Sequence, residues 1–199
     1  DKAFFFFFLE FVSLPPDVLD YLIGDAVTSG MNNVLYNTYN GDLELLKRAI
    51  LNSDIDEYVR NAMLEVMGEL YLDGSLGKDE WQAFIREMIH ESDGLGDYFY
   101  AEVADVICQC HFVEMLPEIR FLYENDMVDP SILRDYDNCV DLMFEYSKYR
   151  EGFCKTPLNA AKTLRGWAMF SHEDEEPRMG EKEREKAAGI FERGVFEIF

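Results

Sequence analysis

Positive charge is scarce in this chain of 199 residues: 18 Lys and Arg stand against 40 Asp and Glu, for a net charge of −22 with histidine neutral. The last 29 residues carry −4 of this and the first 170 carry −18, so the acidity is not a tail effect. Such a field repels nucleic-acid backbones and anionic membranes and disfavours both as partners. A basic protein segment is compatible with it. No apolar run approaches the roughly 18 residues of a membrane span. Phe4–Leu9 is strongly apolar, yet it has neither a basic leader nor a small-residue cleavage site, so it does not read as a signal peptide. Asn-x-Ser/Thr is absent, and the four cysteines (Cys108, Cys110, Cys139, Cys154) lie within or beside apolar helical patterns. Reduced thiols in a cytoplasmic protein are the simpler reading.

Catalytic and phosphate-binding signatures are missing too. Gly77-Lys78 has Leu72 where a phosphate loop needs its first glycine, and Asp79 where it needs Ser or Thr. There is no Gly-x-Ser-x-Gly and no His-Glu-x-x-His. Asp93-x-Leu95-x-Asp97 lacks the oxygen ligand and turn glycine of a calcium loop. Glu87-x-x-His90 is a single pair, whereas a carboxylate-bridged di-iron site needs two pairs and two further glutamates. No catalytic residue set and no cofactor are expected.

What the chain does contain is helix signal, with almost no strand-like alternation. Ser53-Asp54 predicts a helix start, and the stripe Ile55, Tyr58/Val59, Ala62/Met63, Val66/Met67, Leu70/Tyr71 continues to Asp73-Gly74. Asp54, Val59 and Arg60 stand where a HEAT-type repeat carries its Asp and its Val-Arg pair. Arg60 is expected on the polar side, bridging to an acid or a carbonyl of its own or the next repeat. Other helices are expected over Phe4–Val12, from Leu14-Pro15-Pro16 to about Ile23, near Val27–Tyr39, after Asp42, after Gly77, from Asp97, at Pro117, and from Asp129-Pro130 to about Tyr149. A further one starts at Thr156-Pro157 and runs to about Phe170. That is an all-α antiparallel array of nine or ten helices, an α-solenoid or irregular bundle. Leu70-Tyr71…Leu76 and Leu122-Tyr123…Val128 form a weak self-match at an offset of 52. Trp81 and Trp167 are expected in the core. Residues 171–199 read as a charged linker followed by a tail helix with Phe191, Val195, Ile198 and Phe199 in its stripe.

Phe4–Val12 is apolar almost all round, so it needs cover on more than one side. Helices upstream of residue 1 or a second subunit are the two sources, and a homo-oligomer contact through Phe4–Phe8 or through the tail helix follows from the second. The best metal candidate is Cys108-Gln109-Cys110-His111. On a helix, Cys108 and Cys110 point to opposite sides, while Cys108 and His111 are neighbours. Two ligands do not make a structural zinc site, so Cys139 or Cys154 would have to complete it. Packing is the plainer role for all of them.

Leu14-Pro-Pro-Asp-Val-Leu-Asp-Tyr-Leu-Ile-Gly-Asp25, Tyr39-Asn-Gly-Asp-Leu43, Asp56-Glu-Tyr-Val-Arg-Asn-Ala-Met63, Leu116-Pro-Glu-Ile-Arg120, Val128-Asp-Pro130 and Trp167 together carry a resemblance. Over about Phe4–Phe170 the chain resembles a bacterial "domain of unknown function" family of HEAT-like helical proteins. The resemblance implies a cytoplasmic bacterial protein with further helices upstream. Some relatives end in a Cys-rich SEC-C zinc motif, but residues 171–199 contain no cysteine, so that zinc function does not carry over. The family supplies no catalytic residues. The expected function is a non-enzymatic scaffold or adaptor that binds a protein, with a basic segment as the suited partner. The alternatives are a small enzyme or metal protein using Cys108 and His111, and an acidic decoy that mimics nucleic acid.

Overall fold

The computed structural model describes residues 2–92, 94–146 and 152–154. These all lie in one compact unit, Asp1–Leu158. Expectations about residues 155–199, including Trp167, the helix to Phe170 and the tail helix, fall outside the described residues. Among the described residues there are nine α-helices and no strand, and no helix is long and apolar enough to cross a membrane. The helices are α1 Lys2–Val12, α2 Pro16–Ile23, α3 Met31–Thr38, α4 Leu43–Ile50, α5 Glu57–Leu72, α6 Lys78–His90, α7 Asp97–Gln109, α8 Leu116–Glu124 and α9 Tyr136–Tyr146.

Packing follows chain order in two rows. α1 packs on α3, α3 on α5, α5 on α7 and α7 on α9. α4 and α6 pack against α5, α6 reaches α8, and α8 reaches α9. Helices α5, α7 and α9 begin at residues 57, 97 and 136, so the pairs repeat at about 40 residues. This is a stacked helical array in which each pair buries its apolar stripe against the next. The shared core runs through all of it, from Phe5 and Leu35 through Met63, Met67, Trp81 and Ile107 to Ile119 and Met143.

The self-match at offset 52 is not this repeat. It marks two similar helix ends. α5 and α8 each finish in a turn with a left-handed residue, Gly74 at φ 83° and Asp126 at φ 53°, followed by a buried Leu76 or Val128. α7 ends the same way at His111, φ 60°. There the Phe112 amide donates to the Ile107 carbonyl at 3.2 Å, and after α8 the Met127 amide donates to Leu122 at 3.0 Å. These contacts satisfy carbonyls that a helix end leaves without partners.

Several expected starts move. Asp56, not Ser53-Asp54, caps α5: its Oδ1 accepts from the Tyr58 amide at 2.9 Å and the Val59 amide at 3.3 Å. Asp54 is exposed in the preceding turn. The helix expected over Val27–Tyr39 is interrupted, with a 3-10 turn at Gly24–Val27 and α3 beginning only at Met31. Gly30 sits there at φ 104°, a conformation that a right-handed helix cannot contain. Asp97 is the first residue of α7 rather than its cap, which is Gly96. Asp129-Pro130 starts no long helix. Asp129 closes a single turn, accepting from the Ser131 amide at 2.8 Å, and Asp135 then serves the start of α9, accepting from the Asn138 amide at 2.8 Å. The caps at Asp42 and the proline in the first turn of α8 are as expected.

α1 shows why five consecutive phenylalanines need cover. Phe5, Leu9 and Val12 fall on one side and are buried, with the Phe5 ring edge-on to Tyr39 at 5.5 Å. Phe4, Phe6 and Phe7 stand exposed, Phe7 at 69%.

Residues 152–154 return to α5. Glu69 accepts from the Phe153 amide at 2.6 Å and the Cys154 amide at 3.0 Å, and Asn32 Nδ2 donates to the Phe153 carbonyl at 3.0 Å. Gly68 admits the Phe153 ring: a Cβ there would lie 2.5 Å from it.

Candidate functional site

Four residues of α5, Tyr58, Asn61, Ala62 and Glu65, fall on one helical face at spacings of three and four. Opposite them, α7 presents Tyr98, Glu102 and Asp105 at the same spacings. Where these faces meet the start of α3, a cavity of about 220 Å³ opens, lined by Met31, Asn32, Tyr58, Asn61, Glu65 and Tyr98 among others. A second cavity of about 300 Å³ adjoins it, lined by Pro16, Leu19, Asp20, Asp56 and Tyr58. Val27, Thr28 and Tyr58 line both, so the two form one groove with the Tyr58 ring as its shared wall. Among the described residues the linings hold Asp20, Asp56 and Glu65 but no Lys, Arg or His.

The electrostatics concentrate at Glu65. Its Oε2 accepts from Asn32 Nδ2 at 2.7 Å. Burial pushes its carboxyl up to about 7, Asn32 opposes the shift, and Glu102 and Asp105 add to it. The Glu102 carboxyl is raised for the same reason, with hydrogen bonds from Tyr98 and Asn61 opposing. Asn61 Oδ1 is buried without a donor. The four ion pairs among the described residues are Lys47–Glu44, Lys47–Glu80, Lys78–Glu114 and Arg86–Glu118, and none reaches Glu65 or Glu102. The Tyr58 and Tyr98 rings meet at 5.0 Å, tilted by 59°. A concave site with aromatic walls and a carboxyl perturbed by burial is the usual form of a binding pocket.

The opposite flank of α5 is closed. Arg60 is only 4% exposed, not on a polar surface as expected. It does bridge carbonyls: Nε donates to Ile55 O and Nη2 to Leu95 O, each at 3.1 Å. Its guanidinium lies over the Phe99 ring at 4.8 Å. This ties α5 to the segment before α7. Val59 is fully buried beside it.

Cys108 and His111 are not neighbours on one helix, because α7 ends at Gln109 and His111 is the left-handed residue of the turn. The Cys108 thiol donates to the Cys139 carbonyl at 3.3 Å, and the Cys139 sulfur meets Tyr123 Oη at 3.3 Å. Its hydrogen bonding with Cys139, and then burial, push the Cys108 thiol up rather than activating it. Cys110, the C-cap of α7, is buried as well. Among the described residues no group of three His, Cys, Asp or Glu is arranged to hold a metal ion.

The family model of a protein of unknown function, DUF1186, matches residues 1–150. The chain belongs to that family. No curated protein and no solved structure matches. The groove of this DUF1186 chain lies within the matched residues, whereas 151–199 lie outside them. Sequence reasoning missed the groove. The signal was there in α5 and α7: Asn61 and Glu65, and Glu102 and Asp105, interrupt otherwise apolar faces at helical spacing.

Proposed function

We propose that this DUF1186 chain is a non-enzymatic, cytoplasmic scaffold or adaptor with a HEAT-like arrangement of helix pairs, and that its groove receives a basic segment of a partner protein. The observation that carries the reading is the pair of adjoining cavities whose linings, among the described residues, contain Asp20, Asp56 and Glu65 and no positive side chain. A peptide laid along them meets aromatic wall and acceptor together, and the field of a −22 chain draws basic segments toward it. Stacked helix pairs are suited to displaying such an extended surface. Four buried free thiols agree with a reducing compartment.

Fluorescence anisotropy with labelled peptides of a dozen residues tests this. Basic peptides are expected to bind, and counterparts with every Lys and Arg replaced by Gln are not. Tyr58→Ala, which removes the shared wall without changing charge, is expected to weaken binding about tenfold, at both low and near-physiological salt. Absence of binding by any basic peptide at low salt would overturn the reading. So would binding that Tyr58→Ala leaves untouched, because that would be attraction to net charge alone.

A further inference from the structure

The two cavities of the groove are not equivalent. The larger has its acids at an exposed rim residue, Asp20, and at a helix cap, Asp56. The smaller has Glu65, drawn inward between α3, α5 and α7 with aromatic and apolar side chains around it. Glu65 Oε2 accepts from Asn32 at 2.7 Å. The Asn61 Oδ1 acceptor in the same lining is buried without a donor. Here the described residues gather acceptors and ring faces and supply no cation, which is the complement of a donor-rich, planar, positively charged group.

We infer that the cavity around Glu65 is a receptor for one guanidinium group, carried by an arginine side chain of the bound segment. The inference rests on the scaffold reading and names the residue that the segment must present. An ammonium is strongly hydrated and acts as a point charge, so entering a site with one carboxylate and two tyrosine rings strips more hydration than the site replaces. A guanidinium is more weakly hydrated, stacks on an aromatic face and spreads its donors in a fork. Tyr58 and Tyr98 offer the faces, at 5.0 Å from each other. Glu65 offers the carboxylate, and Met31 and Ala62 flank the path that an aliphatic stem would take.

The test uses the full chain and two probes of equal charge, Nα-acetylarginine N-methylamide and Nα-acetyllysine N-methylamide. Amide chemical shifts are followed by NMR. The arginine probe is expected to bind about five times or more tightly, with shifts centred on Asn61, Glu65 and Tyr98. Glu65→Gln is expected to weaken it about tenfold or more. Glu124→Gln, which removes the same charge from the exposed end of α8, is expected to leave it unchanged. Tyr58→Ala supplies a second variant, at a ring that is 43% exposed, in case Glu65→Gln perturbs the fold. Equal binding of the two probes would overturn the inference, as would shifts mapping away from the cavity or equal losses in Glu65→Gln and Glu124→Gln. If that happens while Tyr58→Ala still weakens binding of basic peptides about tenfold, the scaffold reading stands and only the guanidinium assignment falls. If no basic peptide binds at all, both fall.

Discussion

Arg60 and Glu65 lie on the same helix, five positions apart, and so about 140° around its axis. Both are ionisable groups turned into the protein, and the protein treats them in opposite ways. Arg60 is closed in: two carbonyls accept from it and the Phe99 ring covers it. Burial lowers its pKa, while Glu57 and Asp56 act in its favour. Among the described residues Glu65 has one neutral donor, Asn32, and faces Glu102 and Asp105. One flank of α5 is a closed structural joint, although Arg60 Nη1 is buried there without a hydrogen-bond partner. The other holds a charge at a cost and opens onto a groove. A buried group left in an unfavourable state beside a cavity is where binding function is to be sought, because a ligand can supply what the fold has not.

The largest expected effect breaks the closed side. Arg60→Ala leaves the Ile55 and Leu95 carbonyls without donors and uncovers Phe99, so it is expected to cost roughly 3–5 kcal/mol in urea unfolding. A loss within about 0.5 kcal/mol would mean that the joint contributes little.

Next comes the opposite sign. The Glu65 carboxyl is raised in the folded protein from its ordinary 4.5 to about 7. Between those values the unfolded chain gives up the proton and the folded one keeps it, so folding stability from this group falls as pH rises through that window. Below about 4.5 there is no penalty, and above about 7 it is complete, at about 3 kcal/mol at most. Glu65→Gln is therefore expected to be more stable than the parent at pH 8 and equal to it at pH 4, as followed by thermal or urea unfolding across pH. A variant less stable at pH 8 would contradict the electrostatic account of the groove.

A smaller effect comes from the neighbour of Gly68. Glu69→Ala removes the acceptor of the Phe153 and Cys154 amides and is expected to cost about 1–2 kcal/mol. Hydrogen exchange reads this directly, with faster exchange at those two amides and little change at Arg60 or Val59.

The array was legible in the sequence because its apolar stripes are long and regular. α5 carries Val59, Met63, Val66, Met67 and Leu70 inward, as the 3.6-residue spacing requires. Starts were read less well where two acids compete, as at Asp54 and Asp56 or at Asp129 and Asp135, since spacing alone does not say which carboxylate meets a free amide. Arg60 was expected on the polar side, bridging to an acid or a carbonyl; it meets carbonyls, but buried, because the Leu95 carbonyl and the Phe99 face that let a guanidinium be buried come from a segment 35 or more residues away. His111 looked like a helical neighbour of Cys108 because no glycine announces the end of α7, and histidine itself takes the left-handed position. The groove was the least visible of all. Its walls come from α3, α5 and α7, and only the fold shows that Tyr58 and Tyr98, forty residues apart in sequence, share one corner.

The most direct test of the central claim is an NMR titration of the Glu65 side-chain carboxyl in the full chain, with and without saturating Nα-acetylarginine N-methylamide. Alone, Glu65 is expected to titrate near pH 7, well above the ordinary glutamate range. With the arginine probe it is expected to fall by about one unit or more, because a bound guanidinium favours the carboxylate. A Glu65 that titrates near 4.5 alone, or whose midpoint the probe does not move, would contradict the account.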